Sequence, residues 1–347
     1  MRPPFVIQNQ SVPAGHRAVI DMALPKLNSH TRLSMPLHVV HGRREGPRLF
    51  VCAAIHGDEL NGVEIIRRLL EVKTLRHLAG TLVAVPVVNV YGLIHQSRYL
   101  PDRRDLNRSF PGSAMGSLTA RVAYLFIEEI VRHCSHGIDL HTGAIHRTNL
   151  PQIRANLDDP ETGRLAQAFG VPVLLNSTLR DGSLRESAAE MGIPMLLYEA
   201  GEGLRFDEVC IRAGLQGVIN VMRTLGMLPL SRRRARKTTE PFIARSSSWT
   251  RAPESGLLRT LASLGARVQR QEILGYISDP YSGMQHPVAA HVSGVVIGRV
   301  QIPVVHEGEA LFHIARFNSD SNEVADGVEV FQQTHLDDDS VGDPPIV

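Results

Sequence analysis

Long apolar runs that do not alternate with polar residues constrain this chain more than any other feature. RLFVCAAI (48–55), GTLVAVPVVN (80–89), VPVLLN (171–176) and PMLLYEAG (194–201) read as strands. Between them, LNGVEIIRRLLEVKTL, TARVAYLFIEEIVRHC, PETGRLAQAFG (ending at Gly170) and FDEVCIRAGLQGVINVMRTLG carry apolar residues at helical spacing. A strand that is apolar at every position is buried on both faces, so helices must cover both sides of the sheet it joins. The expected architecture is therefore α/β, with a mixed, mostly parallel sheet and helices on both faces.

After the arginine-rich stretch RRRARK (232–237) the texture changes. SGLLRTL, GARVQRQEILGYI, HVSGVVIGRV and HEGEALFHIA are short and punctuated by glycine, as in a small C-terminal all-β domain of barrel-sandwich type. Biotinyl and lipoyl carriers share that rhythm, but no lysine sits at the hairpin where a cofactor would be attached, which argues against a carrier. The expected division is an N-terminal extension (1–34), a large α/β domain (35–229), a linker (230–248), a small β domain (249–317) and a flexible acidic tail (318–347).

Composition excludes more than it assigns. A net charge of +2 over 347 residues gives no general reason to expect nucleic acid, and RRRARK reads as a solvated linker. The start MRPPFVIQNQ lacks the apolar core of a secretory signal, and no run of roughly 18 apolar residues suggests a membrane span. Cys52, Cys134 and Cys210 are odd in number and far apart, which disfavours disulfides and a thiolate metal site. A cytoplasmic protein is expected, and a homo-oligomer is compatible with the sequence.

Three of the strands end on groups that bind metal or move protons: His56 and Glu59 follow the first, His141 ends GIDLH, and Glu199 ends PMLLYE. The carboxyl ends of neighbouring strands in an open α/β sheet lie side by side, so these residues can meet in one pocket. Buried ionisable groups are costly unless paired or coordinated. Two histidines and a glutamate suit one zinc ion with a position left for water, and Glu199 suits a proton acceptor beside it. His95, His136 and His146 read as surface or supporting residues. The loop SRYLPDRRDLNRSFPG (97–112) holds four arginines. Arg103 reads as solvated, whereas Asn107 and Arg108, before a Phe-Pro-Gly turn, read as placed ligands for an anion.

HGDELNG, RDLNRSFPG, DLHTG and YEAG, in this order, resemble the succinylglutamate desuccinylase and aspartoacylase family, whose catalytic domain is shared with zinc carboxypeptidases. The resemblance spans roughly residues 35 to 320. It implies that His56, Glu59 and His141 hold zinc, that Asn107 and Arg108 grip a substrate carboxylate, that Glu199 is the general base, and that Asp105 supports His56. It also implies an arginine that polarises the scissile carbonyl, a place for which Arg98 and Arg104 compete. PQIRANL (151–157) is similar to a family loop facing the substrate, which makes Arg154 a contact for the acyl group or a second carboxylate. The implied activity is hydrolysis of a small N-acyl amino acid. The alternatives are a zinc carboxypeptidase acting on peptides and a non-catalytic zinc or ligand-binding protein.

Overall fold

The computed structural model describes residues 2–177, 179–230, 241–317 and 321–336. In chain order the elements are β1 (Phe5–Ile7), β2 (Gln10–Val12), β3 (His16–Ala23), β4 (Ser34–His41), β5 (Arg44–Ala53), α1 (Asn61–Glu71), β6 (Ala79–Val85), α2 (Val90–Ile94) and α3 (Leu118–Glu129). There follow β7 (His136–Gly143), β8 (Arg147–Ala155), α4 (Pro160–Phe169), β9 (Val173–Asn176), α5 (Leu184–Glu190), β10 (Met195–Glu202) and α6 (Glu208–Thr224). The remainder is β11 (Phe242–Arg251), β12 (Gly256–Thr260), β13 (Arg267–Val268), β14 (Ile273–Ser278), β15 (Gln285–Ala289), β16 (Gly294–Val300), β17 (Val304–Val305), β18 (Ala310–Phe317) and α7 (Ser321–Leu336).

Twelve strands form one mixed sheet in the order β13-β16-β18-β11-β9-β8-β10-β7-β5-β6-β4-β3. Its centre, β10-β7-β5-β6, is parallel. The apolar runs partition across it. Leu49, Val51 and Ala53 of β5, with Leu82 and Ala84 of β6, join Ile65, Ile66 and Leu69 of α1 and the apolar faces of α4 and α6. Phe50, Cys52, Val83 and Val85, the intervening residues, join Val122 and Phe126 of α3 and Leu184 and Ala188 of α5. Strict alternation along each strand thus feeds two cores on opposite faces, as continuous apolar runs require. Helix ends follow their local chemistry: Asp159 caps α4 with Pro160 behind it, and Gly170 closes it at φ 90°.

Three boundaries differ from the expectation. The segment 1–34 does not stand apart, because all eight residues of β3 pair antiparallel with β4. This edge strand buries only Ile20 and Met22 to the core, so its text alternates and lacks an apolar run. The segment read as a linker to 248 is strand from Phe242, paired parallel with β9 and antiparallel with β18. RRRARK itself lies outside the described residues. The tail read as flexible from 318 holds α7, which buries Val324, Val328 and Phe331, a spacing of four and three residues that its acidic composition hides.

The C-terminal β elements are joined to the rest by hydrogen bonds. Beyond the β11 and β9 pairing, β16 lies antiparallel to β8 through Gly298, Arg299 and Val300. A second sheet, β15-β14-β12-β17, closes over β16 and β18 around Leu258, Leu274, Val288, Phe312 and Ile314.

Candidate metal centre and active site

The corner after β5 carries the first two candidate ligands. Ala54 takes a positive φ of 49°, and the amide of Glu59 donates to the carbonyl of His56 at 3.1 Å, turning the chain into α1. Gly57 is required here: a Cβ would lie 2.0 Å from the backbone of Gly92 in α2, which is packed against the turn. His141 arrives from β7, whose residues 136–140 pair with β5 up to Ala53.

His56, Glu59 and His141 are 3%, 2% and 3% exposed, and their candidate ligand atoms lie within 4.8 Å of one another. His56 Nδ1 is 2.6 Å from Glu59 Oε1, and His141 Nδ1 is 2.7 Å from Oε2. The outer nitrogens are held by acids: His56 Nε2 by Asp105 at 3.2 Å and His141 Nε2 by Asp139 at 2.6 Å. Asp139 in turn accepts from the Cys52 thiol at 3.4 Å, across a register pair of β7 and β5. Both imidazoles therefore point Nδ1 inward and are locked from behind by carboxylates, the arrangement that orients metal-binding histidines. This donor set fits a divalent cation such as zinc.

Electrostatics agree with the geometry. Burial would push the Glu59 carboxyl up, but the charges of His56 and His141 and their hydrogen bonds outweigh it and hold it well below the carboxylate range. Burial would push His141 down, but Asp139 and Glu59 raise it well above the ordinary histidine value. A cation held by Nδ1 of both histidines and by Glu59 would compete with protons for those same atoms.

Glu199 stands in register with His141 on the adjacent parallel strand. Asn149 Nδ2 donates to its Oε2 at 2.6 Å, and Arg154 approaches its Oε1 at 3.4 Å. On the other side Arg98 donates to Asp105 at 2.9 and 3.1 Å and lies 3.2 Å from His56 Nδ1 and 3.4 Å from Glu59. Arg104 is exposed and its side chain has no hydrogen bond or ion pair among the described residues. Asn107 is buried: its Oδ1 accepts from the Leu184 amide of α5 at 3.0 Å, which leaves Nδ2 to donate elsewhere. Arg108 is exposed and donates to the Asn107 carbonyl.

Two further arginines join this set. Burial, then Arg108 and Arg154, pushes Arg180 down, and burial, then Arg154 and Arg180, pushes Arg185 down to about 10. Asp139, Asn149, Arg180 and Arg185 were not singled out from the sequence. Asp139 had a signal, since in Asp-Leu-His the acid shares a strand face with the histidine two residues on. Asn149 is a polar residue inside a buried strand, a weaker one.

A mixed α/β fold with a buried His-Glu-His cluster beside a strand-end glutamate defines the class. The chain matches the succinylglutamate desuccinylase/aspartoacylase catalytic domain over residues 45–225, more than half of its 347 residues, and it belongs to that family. It is 27% identical over 295 residues to the N-alpha-acetyl-L-2,4-diaminobutyric acid deacetylase of Halomonas elongata, covering 81% of this chain and 85% of that one. The product-bound ectoine utilization protein EutE (DoeB) of Ruegeria pomeroyi shares the fold at a TM-score of 0.79 and 23% identity, covering 91% and 99% of the two chains. A succinylglutamate desuccinylase/aspartoacylase structure from Rhodobacter sphaeroides does so at 0.78 and 23%, covering 87% and 96%. Among the described residues no helix is long and apolar enough to cross a membrane.

Proposed function

We propose that this chain is a cytoplasmic zinc-dependent hydrolase that cleaves the amide bond of a small N-acyl amino acid of acetyl or succinyl type. Its catalytic part, residues 35–229, is taken to be zinc carboxypeptidase-like, with residues 249–317 covering the site. The observation that carries this is the inward-facing His56, Glu59 and His141 set with Glu199 in register beside His141. The family and the deacetylase of Halomonas elongata support amide hydrolysis.

His56, Glu59 and His141 would hold one zinc ion per chain, which when bound acidifies water and polarises a carbonyl. Glu199, oriented by Asn149, takes a proton from the attacking water at a carboxylate oxygen and later gives it to the leaving nitrogen. The water oxygen bonds to the acyl carbon, the C–N bond breaks, and a carboxylate and a free amine leave. Arg98, whose guanidinium Asp105 holds, would donate to the charge that develops on the carbonyl oxygen, a role the exposed Arg104 would not share. Asn107 Nδ2 and Arg108 would hold the amino-acid carboxylate, with Arg154 contacting the far end of the substrate.

The test is amine release by the zinc-loaded full chain from N-acetyl and N-succinyl amino acids, compared with peptides. Hydrolysis of the former, and little cleavage of peptides longer than about four residues, is expected because a pocket of about 300–1,000 Å³ holds only a compact substrate. Efficient cleavage of long peptides would replace this assignment with a carboxypeptidase. Zinc binding without any turnover would replace it with a binding protein. Glu199→Gln should keep zinc and lower kcat by roughly 10² to 10⁴.

A further inference from the structure

Gln152 Oε1, Arg154 Nε and His313 Nδ1 are among the buried polar atoms that have no hydrogen-bond partner among the described residues. The first two lie on β8. The third comes from β18, in the C-terminal β region. Gly298 of β16 pairs with Asn149 on one side and with His313 on the other. A Cβ built at Gly298 would lie 2.7 Å from Asn149 Oδ1 and 3.3 Å from the His313 Cβ. The glycine therefore lets two side chains close over it, one of which is the donor to Glu199.

The His313 ring is held in place. It pairs in register with Trp249 of β11 and stacks on the indole at 4.6 Å with 7° between planes, while the Arg147 guanidinium lies 5.5 Å from the same indole. Stacking fixes the ring plane but uses neither nitrogen. The residue is 6% exposed. Burial, with Arg154 and Arg180 nearby, pushes the imidazole down to about 3, so the ring is neutral at physiological pH. A neutral imidazole has one N–H. An enclosed N–H without a partner is costly, so the proton belongs on Nε2 rather than on the sealed Nδ1.

We propose that His313 is a specificity-determining contact, donating from Nε2 to an oxygen acceptor carried on the arm of the substrate remote from the carboxylate held by Arg108. This rests on the hydrolase assignment above. Arg154 and the exposed Arg180, both donors without acceptor capacity, carry charges that reach His313, so the arm favoured beside it ends in oxygen acceptors rather than in an ammonium or a plain alkyl group. The C-terminal β region thereby selects the substrate as well as covering it.

The experiment compares N-acetylalanine with two substrates bearing an additional carboxylate, N-acetylaspartate and N-succinylalanine, using the zinc-loaded full chain. Their kcat/KM values relative to N-acetylalanine are measured for wild type, His313→Leu and His313→Gln. In His313→Leu the ratio should fall about tenfold for one of the two, the size of one lost hydrogen bond, and mainly through KM. The substrate affected tells whether the arm lies in the acyl group or in the amino acid. His313→Gln, which keeps an N–H donor, should recover part of the ratio. Equal losses on all three substrates, or none, would overturn the proposal. Nitrogen NMR of histidine-labelled protein is read in parallel: the His313 resonances should move on addition of the oxygen-bearing compound and not of N-acetylalanine. If wild type hydrolyses none of the three, the hydrolase assignment falls, and the titration alone decides on His313: unmoved resonances refute it.

Discussion

Gly298→Ala is the smallest change that should damage the site from outside it. Gly298 lies on β16, which pairs with β8, β13 and β18 and not with the strands that carry His141 or Glu199, yet its added Cβ would meet Asn149 Oδ1 at 2.7 Å, a separation real Cβ atoms essentially never show. The far end of Asn149 is the part able to yield, and that same amide donates to Glu199 at 2.6 Å. Displacing it removes a hydrogen bond to a charged group, which contributes about 1.5–3 kcal/mol, or about 10- to 150-fold in rate. The assay is kcat/KM on an N-acyl amino acid for four proteins: wild type, Gly298→Ala, Asn149→Ala and the double variant. Because the two changes share one contact they should couple, and Gly298→Ala should cost less than about threefold once Asn149 is already gone. An equal loss in both backgrounds would show that the damage does not pass through Asn149, and an unimpaired single variant would show that Gly298 is not needed for the close approach.

Metal analysis should find about one zinc per wild-type chain and loss of most of it in His56→Ala and His141→Ala; full occupancy in both would remove the proposed centre. Arg108→Ala should raise KM for an N-acyl amino acid far more than for its carboxamide analogue, and an equal effect on both would make Arg108 structural. Glu208 is held below the ordinary carboxyl range first by its hydrogen bond to Arg68, which it meets at 2.7 and 2.9 Å, joining α6 to α1. Its folded value is depressed from 4.5, so the stabilisation is present above that pH and is lost as pH falls through the folded value. Because Glu208 is half-exposed, Glu208→Gln should lower Tm by only about 1–2 °C at pH 7, with the difference vanishing in acid; a difference that persists there would assign the effect to packing.

The proposed metal ligands were legible because each breaks a rule of its surroundings: an ionisable residue ends a run that is otherwise buried on both faces. Their supports were less visible for a physical reason. Asn149 reaches Glu199 across 50 positions of sequence, and only the pairing of β8 with β10 brings them together. Arg98 and Arg104 are equivalent in a loop read as text, and they separate only when one folds onto Asp105 and the other faces solvent. β3 and α7 were missed in opposite ways, the first because an edge strand alternates, the second because an acidic surface masks a narrow apolar stripe. His313 carried no signal at all, since its importance lies in a strand register.

That register changes how the C-terminal β region should be regarded. A domain set over a pocket by a linker could be removed to test what it covers. Here β11 lies against β9 and β16 against β8, and Leu150, Val173 and Leu175 are buried together with Ala244, Ile297 and Ala315. Deleting residues 240–347 would expose that apolar cluster and free the edges of β8 and β9, so such a truncation would itself perturb Asn149 and Arg154. Point changes in the intact chain avoid this. The row Asn149, Gly298, His313 crosses three strands in which each residue is fixed by its neighbour's backbone, and it ties the orientation of Glu199 to a segment more than 100 residues away. Changes in the β region that leave the proposed ligands untouched should therefore alter turnover as well as substrate choice.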